Sequence, residues 1–407
     1  MKSWLSVCIL TQYFPPEMGA AQNRLGELGA RLVTLGWKVE VLTALPNYPT
    51  GKIFADYDSG HPSVDELHGM RVVRLPLYTT KGGFGRRLRS YFSFVRSAIR
   101  YGPSFCSPPD LLYIESPPLF IGYAGWYLAW KWKCPYVLSI SDLWPESAIR
   151  MGVIKPGIAT HMATRLERRM YAKSAGVTGT SNGILEGVRR LAPGTATQLI
   201  TNGVELGRFG KNKADDEARQ LIGPEPGPVF IFAGLLGLAQ GLDQILDLAK
   251  TLPQQVPGRF VLVGEGPVRD HLEKRLREER IHRVRLLPSQ PPARIPALLA
   301  AADAAIVTMG MPIPGMIPNK LFEAMASELP VLLVSTGEPV ERLRQADAGL
   351  AVPPGDPHAL REAFTQLASD ASSRRQLGIS GRREVENHYD RAKIAERLNE
   401  FLRTCIR

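Results

Sequence analysis

The sequence predicts two α/β domains in tandem, and three observations carry that prediction. Short apolar runs alternate with helix-length amphipathic stretches, the pattern of β-α-β units on a largely parallel sheet. The alternation pauses at a polar segment near the middle and restarts beyond it. The chain's 407 residues also suit two domains or more at roughly 150 residues each.

In order, Ser6–Thr11 (SVCILT) reads as the first strand, and 20–36 as a helix with Leu25, Leu28, Leu32 and Leu35 on one face. Further strand-like runs are Val39–Ala44, Met70–Leu77, Leu111–Ser116, Tyr136–Asp142, Val177–Ser181 and Thr197–Gly203. Gly207–Pro228, polar and rich in Gly and Pro, reads as a linker with a short helix. The second half supplies Val229–Gly234, Arg259–Gly264, Val284–Pro288, Ala304–Met309 and Pro330–Ser335, apolar enough for burial on both sheet faces. The charged 373–407 segment reads as helical. Tandem domains of this kind put the expected ligand site in a cleft at the carboxyl ends of their strands.

Hydrophobic residues at 44% and charged residues at 22% exclude disordered, fibrous and coiled-coil classes. The longest uncharged runs, Ser116–Trp130 and Ala304–Asn319, fall short of the roughly 18 residues of a spanning helix. Trp4–Leu10 is too brief for a signal peptide and has no small-residue cleavage site behind it. Cys8, Cys106, Cys134 and Cys405 stand far apart without a CxxC, so a reduced, cytoplasmic setting is expected, with neither a zinc site nor a disulfide framework. The seven histidines form no metal-ligand spacing, and GxSxG and P-loop motifs are absent. Metal and nucleophilic-serine chemistry are therefore not expected.

The net charge of +11 is unevenly placed. Residues 1–202 hold 23 Lys/Arg against 13 Asp/Glu, and residues 203–407 hold 27 against 26. Within 81–100, Lys81, Arg86, Arg87, Arg89, Arg96 and Arg100 stand without one acid.

Five loops carry candidate chemistry. In Thr11–Leu28 (TQYFPPEMGAAQNRLGEL), Gly19 and Ala20 stand at a predicted helix start, where small residues let backbone N–H groups approach an anion, and Arg24 lies one turn in. The alternative is a plain β-α turn. In SDLWPES (141–147), Asp142 suits a hydrogen bond from a substrate hydroxyl, a base, or a cap on the next helix. In FAGLLGLAQGLD, Gly234 and Gly237 precede Gln240 and a helix, and in LVGEGP the Gly264-Glu265-Gly266 turn opens another; each is weak alone. In the 311–335 loop and helix, Asn319 and Lys320 start a helix with Glu323 one turn in, an arrangement suited to a diphosphate and a ribose. A solvated Lys and a surface Glu are the plain reading of the same residues.

Taken in order, FPPEMGAA, LTALPNYPTGK (42–52), SDLWPES, ITNGVELGRF (200–209), FAGLLGLAQGLD, LVGEGP and PNKLFEAMA resemble glycosyltransferase family 4, and closely its WbuB-like branch of bacterial cell-surface polysaccharide enzymes. The resemblance covers nearly the whole chain. It implies two Rossmann-like domains facing across a cleft (GT-B type): 1–204 for the acceptor, 205–385 for the nucleotide sugar, and 386–407 as a helix crossing back to the N-terminal domain. It implies a retaining, metal-independent transfer from a UDP-sugar donor, with no separate cofactor, to a polyprenyl-diphosphate-linked saccharide acceptor, as in O-antigen assembly. Gly19, Ala20, Gly234 and Gln240 would then approach the donor, and Asn319, Lys320 and Leu321 would cradle its diphosphate. Glu323 would bind the ribose, Gly264 and Glu265 would lie near the nucleotide, and Leu287 and Ser289 would flank the base. Asp142 stands where many relatives place a histidine beside the sugar. Leu235 and Gln240 occupy places where many relatives carry Arg and Lys, and Gly315 a place where many carry a second Glu. Neutralisation of the leaving diphosphate then falls to Lys320, helix N-termini and Arg24 as the candidate catalytic cations.

Two other classes remain open: a UDP-sugar 2-epimerase of the same architecture, and a basic nucleic-acid-binding protein, which pI ≈ 9.5 invites. Against nucleic acid, no known module is visible and the 81–100 cations alternate with Tyr91, Phe92 and Phe94. That composition suits an interfacial amphipathic helix, with Arg86, Arg87, Arg89, Tyr91 and Phe92 on an anionic inner membrane face, or else a solvated basic helix. The aromatic 122–132 run is read as a helix packed on the first sheet.

Overall fold

The computed structural model describes residues 4–58, 60–150, 152, 154–311 and 315–406. It divides into two compact units, one of residues 1–202 with 391–407, the other Gly203–Asp390. The expected divisions at 204/205 and 385/386 shift slightly for a physical reason. Val385 and Tyr389 are buried in the second unit's core, with the Tyr389 ring 4.6 Å from Phe322, so 386–390 stays with that unit.

The first unit is built on eight strands: β1 (Leu5–Leu10), β2 (Trp37–Ala44), β3 (Ser63–Leu67), β4 (Met70–Leu75), β5 (Leu111–Ser116), β6 (Tyr136–Ile140), β7 (Gly176–Gly179) and β8 (Thr197–Leu199). Their order is β3-β4-β2-β1-β5-β6-β7-β8, parallel except for the antiparallel β3–β4 edge. β3, SVDEL, was not legible as a strand. It carries Asp65 and Glu66, and its residues are only partly covered, the charged character that protects a sheet edge.

One face of this sheet is covered by the helices Phe84–Phe105, Ile121–Trp132 and Ile158–Lys173, which bury Phe94, Ala98, Ala124, Leu128, Leu166 and Met170. The aromatic run is thus a packed helix, although Trp130 remains 73% exposed. On the other face Leu25, Leu28 and Leu32 of the Ala20–Thr34 helix meet Ile394, Leu398 and Leu402 of the terminal helix Arg391–Ile406. The charged C-terminal segment therefore returns to the first sheet through an apolar stripe of the spacing a surface helix needs.

The second unit has six parallel strands: β9 (Val229–Ala233), β10 (Arg259–Val263), β11 (Val284–Leu287), β12 (Ala304–Thr308), β13 (Val331–Val334) and β14 (Gly349–Val352), in the order β11-β10-β9-β12-β13-β14. Both faces are apolar, as the continuous hydrophobic runs require. Phe364, from the Pro357–Ser369 helix, fills the centre of one face, its ring 4.5 Å from Phe230 and 4.9 Å from Phe260. Truncating such a ring to Ala costs about 3–5 kcal/mol. Among the described residues, no helix is long and apolar enough to cross a membrane.

Candidate active site

Each sheet changes its direction of winding beside its first strand. β1 lies between β2 and β5, and β9 between β10 and β12. Connections diverge to opposite faces at such points, and open α/β sheets bind ligands outside the carboxyl ends there. Of the candidate residues, Gly19 and Ala20 follow β1, Gly234 follows β9, and 319–323 follow β12.

In the second unit the β9–β12 ladder carries only Ala304↔Phe230 and Ala305↔Ile231, against five pairs between β9 and β10. Beyond this short pairing the Asn319–Ala326 helix starts after Pro318, with no side-chain cap on its first turn. Its leading N–H groups and dipole favour negative charge. Lys320 is half-buried, its Nζ 4.9 Å from the centre of the Phe232 ring, and burial pulls its pKa below the ordinary lysine value against the opposing pull of Glu323. The side chain lies over Gly234, where an added Cβ would sit 2.4 Å from Lys320 Cε. Asn319 Oδ1 is buried without a hydrogen-bond partner among the described residues. Such an orphaned acceptor costs about 1–3 kcal/mol unless something donates to it.

The remaining second-unit candidates surround this point. Gly234 N–H donates to Val263 O at 2.8 Å and Leu236 N–H to Glu265 O at 2.8 Å, so the β9 and β10 exits are laced together. Gly264 is obligatory there: φ is +156°, and a Cβ would fall 1.9 Å from Gly234 O. Gln240 closes a 3₁₀ turn, half-buried, while Leu235 and Leu238 are exposed. Glu265 and Ser289 are exposed, with Glu265 Oε1 3.5 Å from the Ser289 backbone nitrogen. Leu287 and Leu321 are core residues whose side chains are buried in apolar surroundings, so they offer a ligand only backbone. Arg269, which the sequence reading passed over, bonds Gly264 O at 2.7 Å and Leu287 O at 3.0 Å and staples the two strand exits.

In the first unit, Gly19 is the extended, half-buried N-cap of the Ala20–Thr34 helix. Asp142 accepts Ser147 Oγ at 2.9 Å, and burial raises its pKa. Arg24 is placed differently from expectation. Only 2% exposed, its guanidinium donates to Glu115 at 2.6 Å, Ser141 Oγ at 2.8 Å and Asn202 Oδ1 at 3.1 Å. With its charge answered by Glu115, Arg24 orders the exits of β5 and β6 and does not present a free cation. Arg391 continues the arrangement, donating to Asn202 O at 3.2 Å and pairing with Glu27, one turn from Arg24. Glu115 follows the apolar run LLYI as Asp142 follows YVLSIS, so one signal marks both acids and only Asp142 is singled out from the sequence.

Of the residues expected at a membrane surface, Arg86, Arg87, Arg89 and Phe92 are exposed and Tyr91 is half-buried. Arg87 and Tyr91 also line a cavity, Arg89 lies 4.7 Å over the Tyr78 ring, and Phe92 is 4.6 Å from Phe120.

Comparison with known proteins fits this geometry. Residues 19–203 match the family model described as Glycosyl transferase 4-like domain, and residues 214–384 the one described as Glycosyl transferases group 1. The chain belongs to glycosyltransferase family 4. Among this glycosyltransferase's relatives, the putative colanic acid biosynthesis glycosyl transferase WcaI of Escherichia coli K12 is 26% identical over 77% of this chain and 79% of its own. The GDP-mannose-dependent alpha-mannosyltransferase of Mycobacterium tuberculosis is 24% identical over 93% and 91%. Anabaena HepE, solved with UDP and glucose, superposes with a TM-score of 0.71 at 17% identity, covering 98% of this chain and 99% of its own. The glycosyltransferase thus has the GT-B fold class, with the candidate loops of each unit at the carboxyl ends of its sheet.

Proposed function

We propose that this glycosyltransferase moves a hexosyl or N-acetylhexosaminyl group from a UDP-sugar to a polyprenyl-diphosphate-linked saccharide, with retention of anomeric configuration and no metal. The observation that carries this reading is the start of the Asn319–Ala326 helix: an uncapped first turn, a half-buried ammonium over Gly234 and an orphaned Asn319 Oδ1. Glu323, one turn on, is the acceptor for two ribose hydroxyls.

In the reaction the bond from the anomeric carbon to the β-phosphate oxygen breaks, and charge develops on the leaving diphosphate. Lys320 and the helix N–H groups stabilise that charge more as it grows, which is how a fixed donor lowers a barrier. The acceptor hydroxyl enters on the face the phosphate leaves and gives its proton to the departing phosphate oxygen. Asp142 holds a sugar hydroxyl through its carboxylate.

The setting proposed is the cytoplasmic face of the plasma membrane, in cell-surface polysaccharide or O-antigen assembly and in the WbuB-like branch. The surplus of cations in residues 1–202 supports it. The test is a reaction of purified protein with UDP-sugars and short-chain diphosphate-linked saccharides, with and without EDTA, and NMR of the product. An α-linked product from an α-linked donor, unaffected by EDTA, is expected. Inversion, or an epimerised UDP-sugar without acceptor, would refute it.

A further inference from the structure

Among the described residues of the second unit, five large apolar side chains are exposed. Four of them, Leu235, Leu238, Met311 and Met316, stand on two loops at the carboxyl edge of its sheet, and the fifth, Ile379, lies on the Ala371–Glu384 helix. Single exposed apolar residues are ordinary, but a group gathered beside a ligand site marks a surface that something covers. The two loops, 235–241 and 311–318, hold one polar side chain between them, Gln240.

The loops are built against each other. Ala239 O accepts the Gly310 N–H at 2.8 Å and the Met311 N–H at 3.4 Å, so the backbone is joined beside Leu238 and at Met311 itself. Gly241 (φ +61°) and Gly310 permit the approach, since a Cβ on either would fall 2.9 Å from the Cα of the other. Both loops border the candidate diphosphate site. Leu235 follows Gly234, over which Lys320 lies, and Met316 stands just ahead of Asn319 and its uncapped helix start. A group carried on a diphosphate there meets uncharged, mostly apolar loops.

We propose that the donor sugar carries methyl groups, as a 6-deoxy-N-acetylhexosamine does, with its methyls packed on Leu235, Leu238 and Met311 and its acetamido group paired with Gln240. The inference rests on the reading above that the Asn319–Ala326 helix start holds the diphosphate of a nucleotide sugar. A hexose with its full set of hydroxyls would lose water to side chains that offer no hydrogen bond in return. A methyl group in the same place gains by leaving water, and a difference of one such group against an apolar wall selects by about 10-fold or more. Gln240 supplies both the donor and the acceptor that an acetamido group pairs with.

Calorimetric titration of the full chain, without acceptor, tests this. The probes are UDP, UDP-glucose, matched UDP-N-acetylhexosamines that differ only as 6-deoxy or 6-hydroxy (in gluco and galacto configurations), GDP-fucose and GDP-mannose. In the better-bound configuration the wild type should hold the 6-deoxy sugar about 10-fold or more tighter than its 6-hydroxy counterpart, with UDP-glucose weaker than both. Leu238→Asn combined with Met311→Gln should bring the matched pair within about threefold and leave UDP affinity unchanged. Gln240→Leu should weaken the acetamido sugars and spare UDP-glucose. UDP-glucose binding as tightly as the 6-deoxy sugar, or an undiminished preference in the double variant with UDP affinity intact, would overturn the proposal. Binding of GDP-fucose over GDP-mannose with no binding of UDP would instead sink the uridine reading and leave the methyl-bearing donor standing. No binding of any nucleotide or nucleotide sugar would sink both.

Discussion

Replacing Lys320 by alanine removes the cation that lies over Gly234 at the β9 exit. Its ammonium is half-buried above Phe232 and Gly234, so water cannot readily substitute for it. Loss of a single preorganised donor to a developing oxyanion costs about 2.7–4 kcal/mol, or roughly 10²–10³ in kcat. The fold should barely register the change. A cation–π contact of about 0.5–1 kcal/mol is lost, but so is the cost of holding a charge partly out of water. The assay is release of nucleoside diphosphate at saturating donor and acceptor, with thermal unfolding beside it. We expect kcat to fall at least about 10²-fold with Tm little changed. A kcat within about threefold of wild type would refute the assignment of Lys320 to the leaving group. The lowered Lys320 pKa adds a signature with a defined sign. In the free enzyme kcat/KM should decline at alkaline pH below the ordinary lysine value, and bound diphosphate should push the decline higher. Lys320 lowers stability while protonated, and this penalty lifts as pH rises from its folded pKa towards its unfolded one.

Arg24→Met should destabilise the first unit by about 3–5 kcal/mol in denaturant melts, because Glu115 is left buried and unpaired. Adding Glu115→Leu should recover much of the loss; no recovery would mean that Arg24 matters for something other than this pair. Glu167 is buried with Tyr171 Oη donating to it at 2.5 Å, and burial lifts its pKa to about 8. It keeps its proton in the fold while the unfolded chain loses it. Stability should therefore decline between about pH 4.5 and 8, by on the order of a few kcal/mol, and Glu167→Gln should flatten that slope. Gly264→Ala should cost at least about 2 kcal/mol in urea titrations, since its Cβ meets a backbone carbonyl that side-chain motion cannot move.

Much of this molecule was legible in its sequence because parallel strands advertise themselves. Apart from Arg259 at the start of β10 and Thr308 at the end of β12, β9, β10, β12 and β13 are apolar runs buried on both faces, and each is followed by a Gly, Met or Ser that opens a loop. β3 was hidden because an edge strand is stabilised by hydrogen bonds to one neighbour and stays polar. The 319–323 site was legible for a related reason, since Lys and Glu on an otherwise apolar helix start need a purpose. Arg24 was misjudged because spacing places a residue on a helix face but does not say which partner it meets. Its partners Glu115, Ser141 and Asn202 come from three distant segments. Composition grouped Arg86, Arg87, Arg89, Tyr91 and Phe92; four of these are exposed, and Arg87 and Tyr91, one helical turn apart, also line a cavity whose other walls come from distant loops.

The most direct test of the account is a thermal-shift panel of nucleoside diphosphates and their sugars on wild type, Lys320→Ala and Glu323→Ala. UDP and at least one UDP-sugar should raise the wild-type Tm, with the shift much reduced in both variants. No shift with any nucleotide, or a GDP-sugar shifting the wild type where UDP-sugars do not, would contradict it.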